Sequence, residues 1–152
     1  MNELSDEATR TLLSSGWKPG RLVDTSDWRA QLAGAGISMH KAAEDFLSEF
    51  GGLSFADGGN GVSAAREPFE IDPSLCDGEE DRFVEWGSLA GVSLVPIGEV
   101  DGGRCFLGID ESGVIYLVAD WLGHVGVGIS GLEDLIIGIA PRTLYEHFPR
   151  SR

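Results

Sequence analysis

The chain has 152 residues and a mass of 16.2 kDa, and a length of this size predicts that residues 1–152 form a single domain. Its 25 acidic and 11 basic residues give a formal net charge of −14, which repels the phosphates of nucleic acids and anionic membranes. We therefore expect no direct binding to nucleic acid or to a membrane, and we expect basic proteins to be attracted. The 22 glycines argue against a helical bundle.

The first third of the chain has the hydrophobic spacing of helices. Three helices are predicted, between Ser5 and Gly16, between Thr25 and Gly34, and over Ser38–Phe50. Ser38 is the predicted N-cap of the third helix, and Gly51 and Gly52 follow its last residue as stop signals.

After Gly52 the hydrophobic period changes to two, which is typical of strands. Strands are predicted at Leu53–Phe55, Pro68–Pro73, Val92–Val100, Arg104–Asp110 and Val114–Ala119, the last two as a hairpin. The composition of residues 57–61 predicts a loop, Asp77–Ala90 a helix, and a capping box at Ser130–Glu133 a last helix. Helices first, then strands joined by hairpins, and then a helix predict an α+β fold with an antiparallel sheet.

The same patterns predict which side chains form the core. Twelve apolar residues are expected to be buried: Phe46, Leu47, Phe50, Leu53, Leu94, Ile97, Leu107, Ile109, Ile115, Leu117, Leu135 and Ile136.

Other features bear on location and redox state. The first ten residues are acidic and polar, and no apolar run reaches the roughly 18 residues of a membrane span. We therefore expect a cytoplasmic protein without a secretory signal. Cys76 and Cys105 have neither metal-ligand nor disulfide-framework spacing, so reduced thiols are the default, and pairing between them stays open.

Residues 126–131 match G-x-G-x-x-G, follow a strand-like run and open a predicted helix, as a dinucleotide fingerprint does. The fingerprint also needs a second, parallel strand after the helix, with an acidic residue near its end. Only 21 residues remain after Gly131. We therefore interpret the motif as a strand, a glycine turn and a helix, and we expect no nucleotide or other cofactor at Gly126, Gly128 and Gly131.

Catalytic and metal sites have weak support in the sequence. A pair formed by Cys105 and His124 would be the basis of a small enzyme, which is the least favoured of the functions considered. A lone histidine in a glycine-rich segment is more often a surface residue. We expect no catalytic residues and no metal site.

The acidic residues form the most informative polar feature. Eight of them lie between Glu67 and Glu85, against a single basic residue, Arg82. Such a cluster is either a solvated helix face or a landing surface that attracts a basic partner. The partner-binding residues predicted on the second interpretation are Asp77, Glu79, Glu80, Asp81 and Glu85, with Trp86 or Trp121 as an aromatic anchor.

Short motifs in order along residues 12–140 resemble a known family. Phe46–Leu53 reads FLSEFGGL and resembles the helix-end signature of the SUKH superfamily. Five further pieces resemble its third subfamily: GWKPGR at Gly16–Arg21, the strand Phe69–Pro73, PIGE at Pro96–Glu99, the hairpin Gly108–Tyr116, and the last helix with Leu132, Leu135, Ile136 and Gly138.

The resemblance implies a twisted, largely antiparallel sheet with helices packed around it, and it implies no catalytic residues. Bacterial members resemble immunity proteins of polymorphic toxin systems, which bind and neutralise a toxin encoded beside them, often a nuclease or a nucleic-acid deaminase. We therefore predict an immunity protein that masks the basic active-site cleft of its toxin. A non-enzymatic interaction or regulatory module is the alternative, and the identity of the neighbouring gene product would distinguish the two.

Overall fold

The computed structural model describes residues 4–56 and 58–149. Within this part of the chain the helices are α1 (Asp6–Ser15), α2 (Ser26–Gly34), α3 (Lys41–Phe50), α4 (Glu80–Ala90) and α5 (Gly128–Ile137), and a 3-10 turn (Pro73–Cys76) precedes α4. The strands are β1 (Ser54–Phe55), β2 (Gly59–Asn60), β3 (Ala65–Arg66), β4 (Phe69–Glu70), β5 (Val95–Val100), β6 (Cys105–Ile109), β7 (Val114–Val118), β8 (Leu122–Val127) and β9 (Arg142–Tyr145).

Seven strands form one sheet in the order β1-β4-β5-β6-β7-β8-β9. Each of its neighbouring pairs is antiparallel. Strands β2 and β3 form a separate two-stranded ladder, so the segment predicted as a loop contains a short strand, and Asp57 lies outside the described residues. The α+β fold with an antiparallel sheet is confirmed.

Side chains on the two faces of the sheet enter two separate hydrophobic clusters. On one face, residues such as Leu107 of β6 join a cluster with apolar residues of α1, α2, α3 and α5. On the other face, Phe106 and Tyr116 pack with Phe83 and Trp86 of α4. Successive strand residues point to opposite faces, so both faces of the sheet carry apolar side chains. Helices cover each of these faces.

The family-like motifs around residues 16–21 and 46–53 hold the end of α3 in place. Arg21 donates from its guanidinium to the carbonyl oxygens of Glu49 (2.6 Å) and Gly51 (2.8 Å). Trp17 donates its indole N–H to Glu49 Oε2 at 3.0 Å. A Cβ at Gly51 would lie 2.5 Å from the ring of Trp28, so this position has room only for glycine. Arg21 thus satisfies carbonyls at the helix end that have no partner within the helix, whereas Trp17 holds the side chain of Glu49.

The hairpin motif Gly108–Tyr116 is built around a buried carboxylate. Asp110 is 3% exposed, and its Oδ1 accepts from the N–H groups of Ser112 (2.8 Å) and Val114 (3.0 Å). Its Oδ2 accepts from the Tyr116 hydroxyl at 2.8 Å. Burial, together with this hydrogen bond, raises the pKa of Tyr116, so the phenol stays a donor. The carboxylate therefore stabilises the tight turn between β6 and β7.

Helix starts differ from the predicted ones. Helix α3 begins after His40 instead of Ser38, and His40 Nδ1 accepts from the N–H of Ala43 at 3.1 Å. Helix α4 begins at Glu80 instead of Asp77, because Asp77 ends the 3-10 turn and Gly78 follows in the left-handed conformation (φ 90°). Helix α5 begins at Gly128, which places Ser130–Glu133 inside the helix and rules out the predicted capping box.

Eleven of the twelve residues predicted to be buried are buried, and Leu135 is half-buried because it lines a cavity beside Pro141. Strand β9 follows α5 in a segment for which no strand was predicted. None of the helices in the described ranges is long and apolar enough to cross a membrane.

Candidate partner-binding surface

The predicted acidic residues lie on α4 and on the turn before it. Phe83, Trp86 and Gly87 are the buried residues of α4, and the other positions of the helix are exposed or half-buried. Glu79 and Glu80 are half-buried and have local partners: Glu79 lies 3.3 Å from the Arg82 guanidinium, and Glu80 Oε1 accepts from the N–H of Gly78. These two carboxylates therefore already interact within the protein and are less available to a partner.

Asp77, Asp81 and Glu85 are exposed, and within the described ranges their carboxylates have no ion pair or hydrogen bond. Asp81 and Glu85 are four residues apart, a spacing at which like charges repel along a helix. Val84 (52% exposed) and Leu89 (38% exposed) lie on the same outward side of α4. We call these five residues the α4 face, a surface of free carboxylates beside exposed apolar side chains.

The acidic surface is concentrated in one part of the chain. Residues 67–134 hold 15 of the 25 acidic residues and only two of the 11 lysines and arginines, Arg82 and Arg104. This stretch contains the α4 face and strands β4 to β8. Most of the net negative charge therefore belongs to this stretch of the chain.

The structure contradicts the prediction that Trp86 is an exposed anchor. It is 1% exposed and donates its indole N–H to the carbonyl oxygen of Ala119 at 2.9 Å. Its ring packs against Tyr145 and Phe148, with ring centroids 5.7 and 4.8 Å away. The burial of Trp86 fixes α4 to the sheet and removes it from any contact surface.

Trp121 is half-buried in the turn between β7 and β8 and lies between two cavities. The larger is an open cleft of about 470 Å³, which Trp121 lines together with Arg82, Arg104 and Asp120. The smaller, of about 250 Å³, also has Trp121 and Arg104 in its wall and continues beneath α5, where its lining is more apolar. Trp121 therefore lines a cleft whose wall also contains Glu79 and Arg82, at the start of α4.

The indole N–H groups differ between the four tryptophans. Those of Trp17, Trp28 and Trp86 donate to Glu49, to Asp72 at 3.2 Å and to Ala119, respectively. Across residues 4–56 and 58–149, the N–H of Trp121 has no acceptor. Sequence reasoning selected Trp121 for its acidic neighbour, and only the structure reveals its free donor.

Arg104 was not selected from the sequence, and it lines both cavities. Its Nε donates to Asp101 Oδ2 at 2.8 Å, and its Nη2 bonds Glu67. These two carboxylates raise the pKa of the Arg104 guanidinium. The side chain is thereby held in one orientation at the wall of the cleft.

The structure separates Cys105 from His124. Cys105 belongs to the cluster beneath α1, α3 and α5, whereas the His124 ring lies on the other face, 6.2 Å from the ring of Tyr116. Burial raises the pKa of the Cys105 thiol, which keeps it protonated and weakly nucleophilic. The arrangement gives no support to a cysteine–histidine pair.

The two cysteines also lie on opposite faces of the sheet, and both are free. Cys76 donates its S–H to the carbonyl oxygen of Gly98 at 3.1 Å, and burial raises the pKa of its thiol. The sheet itself lies between the two sulfur atoms, so the pairing that the sequence left open does not form.

The glycine motif has a packing role. A Cβ at Gly131 would lie 2.7 Å from the carbonyl oxygen of Gly126, so β8 and α5 touch backbone to backbone. Strand β9, which follows α5, pairs with β8 in the antiparallel direction. The strand–helix–parallel-strand unit of a dinucleotide fold is therefore not formed. Among the described residues, no group of three or more His, Cys, Asp or Glu is placed to hold a metal ion.

A family model described as SUKH-3 immunity protein matches residues 4–138, from just before α1 to the glycine that ends α5. Neither a search of curated proteins nor a search of solved structures returned a match. The family match confirms the resemblance to the third SUKH subfamily. The matched residues include the α4 face, the larger cavity, most of the wall of the smaller cavity, and six of the seven strands of the main sheet.

Proposed function

Because the chain belongs to the SUKH-3 immunity protein family, we propose that it neutralises its cognate toxin by binding it through the α4 face and covering a basic active-site cleft. Family membership supports the immunity function and a toxin as the partner. The choice of surface rests on one observation: three exposed carboxylates, those of Asp77, Asp81 and Glu85, have no partner among the described residues and lie beside the exposed side chains of Val84 and Leu89.

We further propose that the toxin acts on nucleic acid, as a nuclease or a deaminase. An enzyme that binds a polyanion needs a basic cleft, because lysines and arginines neutralise the phosphates. A protein with a net charge of −14 and a cluster of free carboxylates has the complementary electrostatic potential. We expect the encounter to take place in the cytoplasm of the producing cell, before the toxin reaches its substrate.

The free carboxylates are expected to act mainly on the rate of association. Long-range attraction raises the rate of encounter and is screened by salt, whereas short-range contacts decide how long the complex lasts. The apolar side chains of Val84 and Leu89 would supply contact area once the two proteins meet.

The test is the triple variant Asp77→Lys, Asp81→Lys and Glu85→Lys, measured with the toxin domain encoded beside the gene for this chain. At low salt its association rate constant should fall about ten-fold or more below that of the wild type, because the attraction becomes repulsion. The difference should shrink at high salt. Surface plasmon resonance at several salt concentrations gives both numbers.

The matched control reverses three exposed acids on the helices that cover the other face of the sheet, Asp6→Lys, Asp27→Lys and Asp45→Lys. It changes the net charge by the same amount, so it separates the α4 face from overall charge. If both triple variants associate equally fast and protect cells equally well, the α4 face is a solvated surface and the binding site lies elsewhere.

A further inference from the structure

The two basic residues of the acidic stretch 67–134 converge on one cleft. Arg82 lies on α4 and Arg104 at the start of β6, 22 positions later in the chain, and both line the cleft of about 470 Å³. Trp121 lies in the wall of the same cleft. The cleft thus contains a small island of guanidinium and indole N–H donors, and Glu79 and Asp120 also line it.

The donors of this island are not used up within the protein. Arg104 bonds Asp101 and Glu67 through Nε and Nη2, and Arg82 meets Glu79 through Nη2. In the part of the chain that the structure describes, neither Nη1 group has an acceptor, and the indole N–H of Trp121 has none.

Resting on the proposed function, we propose that this cleft receives the carboxylate of an Asp or Glu side chain of the toxin, hydrogen-bonded by Trp121 and the two arginines. Guanidinium and indole groups only donate, whereas an ionised carboxylate only accepts and offers about four acceptor positions. Hydrogen bonds between charged partners are about twice as strong as neutral ones, and arginine suits the planar carboxylate.

The acids in the cleft wall do not oppose this choice. Glu79 is paired with Arg82, Glu67 and Asp101 are both paired with Arg104, and Asp120 is exposed to solvent, where its field is screened. A lysine or arginine of the toxin would meet two guanidinium groups in the same space. The cleft therefore fits a carboxylate better than a cation.

The α4 face and the cleft have different roles in recognition. The α4 face attracts basic proteins in general, whereas the cleft demands an acidic side chain at one position of the toxin surface. Such a buried charged contact fixes the register of an interface and slows dissociation. The cleft would therefore determine which basic protein is retained.

The first experiment compares Trp121→Phe and Arg104→Gln with Arg10→Gln, a matched control at an exposed arginine of α1. Trp121→Phe keeps an aromatic ring and removes only the N–H donor. We expect each cleft variant to raise the dissociation rate constant about ten-fold, as for a lost hydrogen bond to a charged group, with association changed less than about two-fold. The control should match the wild type, and thermal unfolding identifies any variant that is misfolded.

The second experiment changes each Asp and Glu of the toxin surface in turn to Asn or Gln. One toxin variant should dissociate faster than the unchanged toxin from the wild-type chain, and this difference should shrink when both toxins are measured with Arg104→Gln, because part of the same contact is already lost. If no acidic toxin residue couples to Arg104 or Trp121, or if a basic one does, the inference is wrong. Failure of the wild-type chain to bind this toxin would instead overturn the proposed function.

Discussion

His40 joins three parts of the molecule through a single imidazole ring. Because its Nδ1 accepts from the N–H of Ala43, the ring proton lies on Nε2, which donates to the carbonyl oxygens of Ser93 (3.0 Å) and Ile109 (3.2 Å). One side chain therefore caps α3, and it also ties that helix to the segment before β5 and to the end of β6.

Replacing His40 should weaken the fold more than replacing Ser38, the cap that the sequence pattern favours. We expect His40→Ala to lower the free energy of unfolding by about 1–2 kcal/mol, because a helix cap and a carbonyl contact are lost together. Ser38→Ala should change it by less than about 0.5 kcal/mol, as for an ordinary surface residue. Urea unfolding measures both, and equal effects would contradict the cap assignment.

The sequence alone could not identify His40 as the N-cap of α3, because this role depends on residues that are distant in the chain. Serine is the more common N-cap, and the local pattern around residues 38–41 favours it. His40 is selected because its second nitrogen finds the carbonyls of Ser93 and Ile109, which only the folded sheet brings near. The same holds for Trp121 and Arg104, whose common cleft unites three separate segments.

At the scale of elements, the close contact between β8 and α5 explains the glycine motif. Because the backbones of Gly126 and Gly131 touch, any side chain at Gly131 must push the helix away from the strand. The type of most elements follows from hydrophobic period and turn residues, so the five helices and strands β1, β4, β5, β6 and β7 were predicted, although the starts of α3, α4 and α5 differ. Strand β9 (Arg142–Tyr145) was missed because it is short and lacks apolar alternation: its first two residues are exposed and its last two are half-buried.

Gly131→Ala should destabilise the protein by about 1–3 kcal/mol, the usual effect of forcing extra atoms into a packed contact. Gly34→Ala is the matched control: its Cβ would meet nothing within 4 Å in α2, and alanine favours a helix. We expect the control to be neutral or slightly stabilised in thermal unfolding. If NAD, FAD or ATP raised the melting temperature of the wild type specifically, the packing interpretation of Gly126, Gly128 and Gly131 would be incomplete.

For the whole molecule, the uneven distribution of charge matters more than the total. The acidic stretch 67–134 contains only two arginines, and both form ion pairs with nearby carboxylates. The sequence revealed this imbalance directly, since it is a matter of counting. Which carboxylates remain free could not be counted, because ion pairs such as that of Arg104 with Glu67 join residues 37 positions apart.

Salt should therefore act in opposite directions on folding and on binding. Raising the salt concentration from about 10 mM to 1 M shortens the screening length from about 30 to 3 Å, which weakens repulsion among the acids. We expect the melting temperature to rise while association with the toxin slows. The triple variant Asp77→Asn, Asp81→Asn and Glu85→Gln should reduce both effects, and a melting temperature independent of salt would argue against stored repulsion on the α4 face.

The way the sheet ends has a consequence for how the protein behaves in crowded solution. At one edge β1 has only two residues, and at the other the four-residue β9 follows Pro141 and carries the exposed side chain of Arg142. Short strands, prolines and charges at an edge hinder the addition of a strand from another chain. We therefore expect neither edge to recruit a strand from a second copy of the chain, even at high protein concentration.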